Sequence, residues 1–95
     1  MIRKQGERYL IEGPVTLAGV SALLEEGSRS FEGSSVVVDL SGVTEADSSA
    51  ISLLLEWARR MRAGKREILF TNFGANLTSI ANLYGVTELI PVAAK

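Results

Sequence analysis

Three consecutive valines, in Val36-Val37-Val38-Asp39-Leu40, set the frame for this chain. Successive β-branched side chains disfavour a helix and favour extended backbone. The run also lacks the apolar–polar alternation of a strand with one wet face, so it suits a central parallel strand covered on both faces. Beyond it, Ser41 to Ala46 reads as a loop and Ser48 to Ala63 as the strongest helix, with Gly64 as its C-cap. Glu67 to Thr71 reads as the next strand. Strand, helix and strand form a βαβ crossover, and the predicted fold class is α/β.

The flanking segments fit the same plan. Arg8 to Ile11 and then Val15 read as β structure, interrupted by the turn signal Gly13-Pro14. Thr16 is a candidate cap for a helix from about Leu17 to Phe31, where Leu17, Val20, Leu24, Gly27 and Phe31 recur at spacings of three and four. A short helix from about Leu77 to Tyr84 is expected to be capped by Asn76 and to stop at Gly85. Thr87 to Val92 reads as an edge strand or a turn stopped by Pro91. With no repeat, low-complexity stretch or linker, residues 1–95 are expected to form a single domain.

The stretch from Met1 to Glu7 carries basic residues but no apolar segment behind them, which argues against a secretory signal. No apolar stretch approaches the roughly 18–20 residues that span a bilayer. The expectation is a cytoplasmic protein without a membrane span. Asn76-Leu77-Thr78 matches a glycosylation sequon, but without secretion the match is empty.

Composition narrows the chemistry. The chain has no His and no Cys, which removes Ser-His-Asp and Cys-His catalysis and ordinary zinc or haem-His sites. Ten Lys and Arg stand against eleven Asp and Glu, for a formal net charge of −1; a dedicated nucleic-acid binder carries a clear basic excess instead. Neither a P-loop nor a dinucleotide glycine motif is present, so no cofactor is expected. Composition leans toward a binding module over an enzyme.

Three places are candidates for function. Glu45-Ala46-Asp47-Ser48-Ser49-Ala50 enters the main helix, where Asp or Ser satisfies the first free N–H groups. A hydroxyl there is also exposed beside the positive end of the helix dipole, a setting suited to a regulatory phosphate. Along the helix, the apolar residues sweep an arc of roughly 200°, wider than packing on a sheet requires. The surplus lies at one or both edges of the arc, Ala50, Leu53 and Trp57 on one side and Leu55 on the other. Either a second helix of the domain covers it, or it is a partner-binding patch anchored by Trp57. Arg59, Arg60, Arg62, Lys65 and Arg66 hold half of the ten positive charges; they suit the helix C-terminal dipole or an acidic docking surface. Asp39 reads as a loop-forming residue.

Val36 to Ala50, with Asp39-Leu40-Ser41 leading to Asp47-Ser48-Ser49, resembles the signature of a STAS domain. Leu10-Ile11-Glu12-Gly13-Pro14-Val15-Thr16 fits that family's first strand and helix entry, and the resemblance extends from about Tyr9 to Pro91. It implies a small mixed β-sheet with helices packed mainly on one face, and no catalysis. It also implies that Asp47, Ser48, Ser49 and the helix after them, with Ala50, Leu53 and Trp57, meet a protein partner. Ser52 to Arg60 and Ile80 to Val86 are similar to the MlaB-type branch. That branch implies binding to the cytoplasmic ATPase of a phospholipid (Mla-type) ABC transporter, and a place at the inner membrane face through that complex. The alternative branch is the anti-sigma factor antagonists, in which the residue matching Ser48 is phosphorylated by a partner kinase. Those proteins typically carry Gly where this chain has Ala50. A surplus apolar face also leaves a homodimer open.

Overall fold

A computed structural model describes residues 1–92. Its elements are β1 (Ile2–Gln5), β2 (Arg8–Val15), α1 (Val20–Ser30), β3 (Ser35–Ala46), α2 (Ser48–Ala63), β4 (Glu67–Thr71) and α3 (Gly74–Leu83), followed by a 3-10 turn, Thr87–Leu89. The sheet runs β1-β2-β3-β4. β1 pairs antiparallel with β2, while β2, β3 and β4 are parallel. This is the mixed sheet expected. The expectation of one domain over 1–95 extends to residues 93–95, which lie outside the described residues.

Burial alternates along the strands. Tyr9, Ile11, Val15, Val36, Val38, Leu40, Ile68 and Phe70 point into the core, while Leu10, Val37, Asp39 and Leu69 are half-buried on the opposite face. The valine run therefore has one covered face, not two. Its composition records the strand preference of β-branched side chains rather than double burial.

β1, unassigned in the sequence reading, is held by the register Gln5↔Arg8. The two-residue connection puts Gly6 at φ +61°, the left-handed backbone that its first position needs. Two strands outrun their expected ends. β2 passes through Gly13-Pro14, because beyond Ile11 it has no β1 partner to need the missing proline N–H. β3 continues through Ser41 to Ala46, expected as a loop, by pairing from Gly42 to Ala46 with Glu12 to Val15.

Helix α2 and strand β4 match their expected bounds, and Gly64 caps α2 by donating to the carbonyl of Arg60. Helix α1 starts later than expected. Its N-cap is Gly19 rather than Thr16, which leaves Leu17 in the preceding turn. Helix α3 starts earlier, with Phe73 in the cap position; Asn76 lies inside it and donates to the carbonyl of Ala46 at 3.2 Å. Val92 pairs in parallel with Phe70 at the sheet edge, and the Phe70 N–H donates to Pro91 at 2.9 Å.

The core is tied by an aromatic chain. Tyr9 and Phe31 meet edge-to-face at 5.0 Å, and Phe31 and Trp57 at 5.1 Å. The Trp57 indole donates to the carbonyl of Leu24 at 3.1 Å, so its one polar atom is satisfied within the core.

Candidate functional site at the N-terminus of helix α2

The end of β3 delivers Asp47 to the N-cap of α2 in extended conformation. Its carboxylate works in two directions. Oδ1 accepts from the Ser49 N–H at 2.9 Å and from the Ser49 hydroxyl, while Oδ2 accepts from the Leu17 N–H at 3.0 Å. One side chain thus caps α2 and fastens the β2–α1 turn to it, across thirty positions of sequence. The Ser49 side chain and the Leu17 N–H hold the Asp47 carboxyl below its ordinary value.

Asp47, Ser48 and Ser49 lie side by side at the helix start, with distinct environments. Ser49 is half-buried and its hydroxyl is committed to Asp47; Ser48, the first helical residue, is exposed. Beside them runs an open groove of about 540 Å³, lined by Leu17, Ile51, Leu55, Tyr84 and Val86 together with Asp47, Ser48, Ser49 and Ser52. Leu17 is 76% exposed and Tyr84 58%.

Ala50, Leu53 and Trp57 do not belong to this surface. They are 1%, 3% and 1% exposed, and α1 covers Trp57. Gly27 lies flat against the indole, where any side chain would collide with the ring. Of the two explanations for the wide apolar arc, the internal one holds at this edge. Leu55, on the other edge, faces the groove.

Leu17 and Tyr84 escaped the sequence reading. Leu17 fits the helical periodicity of Val20 and Leu24, and only Gly19, a poor interior residue at the true start of α1, marks it as lying outside the helix. The basic run is largely engaged. Glu56 pairs with Arg59 and Arg60, which hold its carboxyl down at about 2. Arg66 donates to the carbonyls of Phe31 and Gly33. Asp39 lies within β3 and accepts from the Ser41 N–H at 2.8 Å and the Asn72 amide at 3.1 Å. Burial pushes its carboxyl up, but the donors Ser41 and Asn72, with Arg8 nearby, outweigh that and hold it low. Among the described residues no group of three or more acidic side chains is placed to hold a metal ion, and no helix is long and apolar enough to cross a membrane.

The family model described as "Mlab, STAS domain" matches residues 3–91. The chain belongs to this STAS family. The fold of the STAS domain is similar to that of the anti-sigma factor antagonist SpoIIAA in its unphosphorylated form. The TM-score is 0.72 and the identity 13%, over 100% of this chain and 88% of SpoIIAA. Two structures of Mglu, one of them the native form, are 23% and 18% identical with TM-scores of 0.57 and 0.51. Each covers 74% of this chain, which spans only 18% and 22% of Mglu. No curated protein matches the chain. The four-stranded mixed sheet and three helices described for this STAS domain thus match the fold of SpoIIAA, and a protein-interaction role goes with the family.

Proposed function

We propose that this STAS domain is a non-catalytic subunit that docks onto the cytoplasmic ATPase of a phospholipid (Mla-type) ABC transporter and supports it. The observation that carries the proposal is the exposed Ser48, at the start of a capped helix and in the lining of a mainly apolar groove. A docking surface needs apolar area that is fixed before the partner arrives, because ordering it on contact costs affinity. Asp47 supplies that order by joining Leu17 to the helix start. The match to the family description that names MlaB supports this partner over others. In this reading the domain works in the cytoplasm, at the inner membrane face, with Ser48, Ser49 and the exposed side of α2 against the ATPase and no chemistry of its own.

Titration calorimetry with the purified ATPase tests the proposal. The wild-type domain is expected to bind, and Ser48→Arg to bind at least tenfold more weakly, because a long cation would intrude into the contact. A folded wild-type domain that shows no binding heat and does not co-elute with the ATPase ends this reading.

One observation favours a second reading, a phospho-regulated anti-sigma factor antagonist. Ser48 is exposed at a helix N-terminus, whereas the neighbouring Ser49 hydroxyl is tied to Asp47. A kinase acting here would therefore modify Ser48, placing a dianion in the contact surface. Incubation with an anti-sigma factor kinase and ATP, followed by intact-mass measurement, distinguishes the two. A gain of one phosphate that is absent in Ser48→Ala supports the second reading.

A further inference from the structure

We infer that Leu17 is a contact residue of the docking surface and that Asp47 acts there as a positioning residue, through Leu17, without touching the partner itself. The inference rests on the ATPase-docking reading above and specifies what its surface recognises.

Both carboxylate oxygens of Asp47 are engaged from inside the domain, Oδ1 by Ser49 and Oδ2 by the Leu17 N–H. Three donors of the domain itself therefore hold the carboxylate in place where it lines the groove. Leu17 shows the reverse pattern. Its backbone N–H is fixed by a charge-assisted hydrogen bond, yet the residue is 76% exposed and lines the groove with Leu55 and Tyr84. Holding a leucine out in water gains the isolated domain nothing. What the bond accomplishes is placement, in one face with Ser48.

The charge of the face specifies its occupant. No Lys or Arg lines the groove, its single carboxylate is held by donors of the domain itself, and Leu17, Ile51, Leu55, Tyr84 and Val86 make up its apolar lining. A matching partner surface is accordingly uncharged and apolar: an aliphatic or aromatic side chain of the ATPase, inserted between Leu17, Leu55 and Tyr84. An acidic residue of the partner would find no counter-charge there to replace its lost water, and a basic one would find only a carboxylate already held by three donors.

A double-variant cycle in ATPase binding tests the division of labour. Asp47→Asn suits it because asparagine remains a good N-cap: its carbonyl oxygen accepts from Ser49, while its amide nitrogen cannot accept from Leu17. Leu17→Ala and Asp47→Asn are each expected to weaken ATPase binding roughly tenfold, the scale of a contact hot spot. The double variant is expected to match Leu17→Ala within about threefold, since Asp47 has nothing left to position. A double loss near one hundredfold would show Asp47 contacting the ATPase directly and overturn the inference, as would wild-type affinity in Leu17→Ala. Amide hydrogen exchange gives a partner-free readout: the Leu17 N–H is expected to exchange faster in Asp47→Asn, and an unchanged rate also overturns it. If the wild-type domain itself does not bind, the docking proposal fails first, and this inference falls with it before any variant is compared.

Discussion

Replacing Gly27 with alanine would drive a methyl group into the centre of the core. A Cβ built there lies 2.5 Å from Cζ2 of Trp57 and 2.6 Å from both Cε2 and Nε1. Ordinary carbon contacts begin near ~3.5 Å, so α1 or the indole must move by about 1 Å. Neither has room. Trp57 is 1% exposed, with Phe31 against it at 5.1 Å and its Nε1 fixed to Leu24 at 3.1 Å. Overpacking of this kind costs about 1–3 kcal/mol, and displacing the indole from its carbonyl adds about 1 kcal/mol. Against this, alanine is about 1 kcal/mol better than glycine in a helix interior. The balance is a loss of about 1–3 kcal/mol.

Trp57 is the only tryptophan, so its fluorescence follows unfolding in urea without a label. Gly27→Ala is expected to lower the urea midpoint with little change in slope, and to lower the melting temperature by about 4–8 °C for each kcal/mol lost. Combining it with Trp57→Phe, followed by far-UV circular dichroism, should recover part of the loss, because the smaller ring vacates the collision. A Gly27→Ala protein as stable as wild type, or stabilised by its helix propensity, would refute the close packing of α1 on α2. It would also reopen Trp57 as a surface anchor.

The remaining predictions concern the sheet and the helix cap. Gly42→Ala would place a Cβ 2.6 Å from the Ile11 carbonyl oxygen, a backbone atom that cannot turn aside. A loss of about 1–3 kcal/mol is expected, with faster amide exchange confined at first to the upper halves of β2 and β3. The depressed Asp47 carboxyl stabilises the fold in its ionised form. That contribution is complete above the ordinary carboxylate value, near pH ~4, and is lost as pH falls through the lower value of the folded state. Urea midpoints taken from pH 6 down to 2.5 should therefore fall more steeply for wild type than for Asp47→Asn, and parallel curves would refute the assignment. Asp39 contributes to the acid limb of both proteins, so the difference between them isolates Asp47. Glu56, held at about 2, adds to the acid limb in the same way in both proteins and so also cancels from the difference.

The parts of this molecule that could be read from its residues are those fixed within a few positions of themselves. Asp47 and Ser49 sit two apart and satisfy a helix start, so Ser48 to Ala63 came out with its cap and its ends. The strand preferences of Val36 to Val38 likewise placed β3, though not its length, because Gly42 to Ala46 are strand only through their pairing with β2. Periodicity correctly reported that the apolar face of α2 is too wide for a sheet alone, but an angle says nothing about what lies opposite. What lies opposite Trp57 is Gly27, thirty residues away, and a glycine in a helical pattern reads as a weakness until a flat ring is seen against it. Leu17 went the other way: it keeps step with Val20 and Leu24 and so reads as the start of α1, yet it is exposed in the preceding turn, where its N–H donates to Asp47. The same wide arc is therefore split between two duties. Its Trp57 edge builds the domain and its Leu55 edge remains on the surface, so a search for partner contacts belongs on the side of α2 that α1 does not reach.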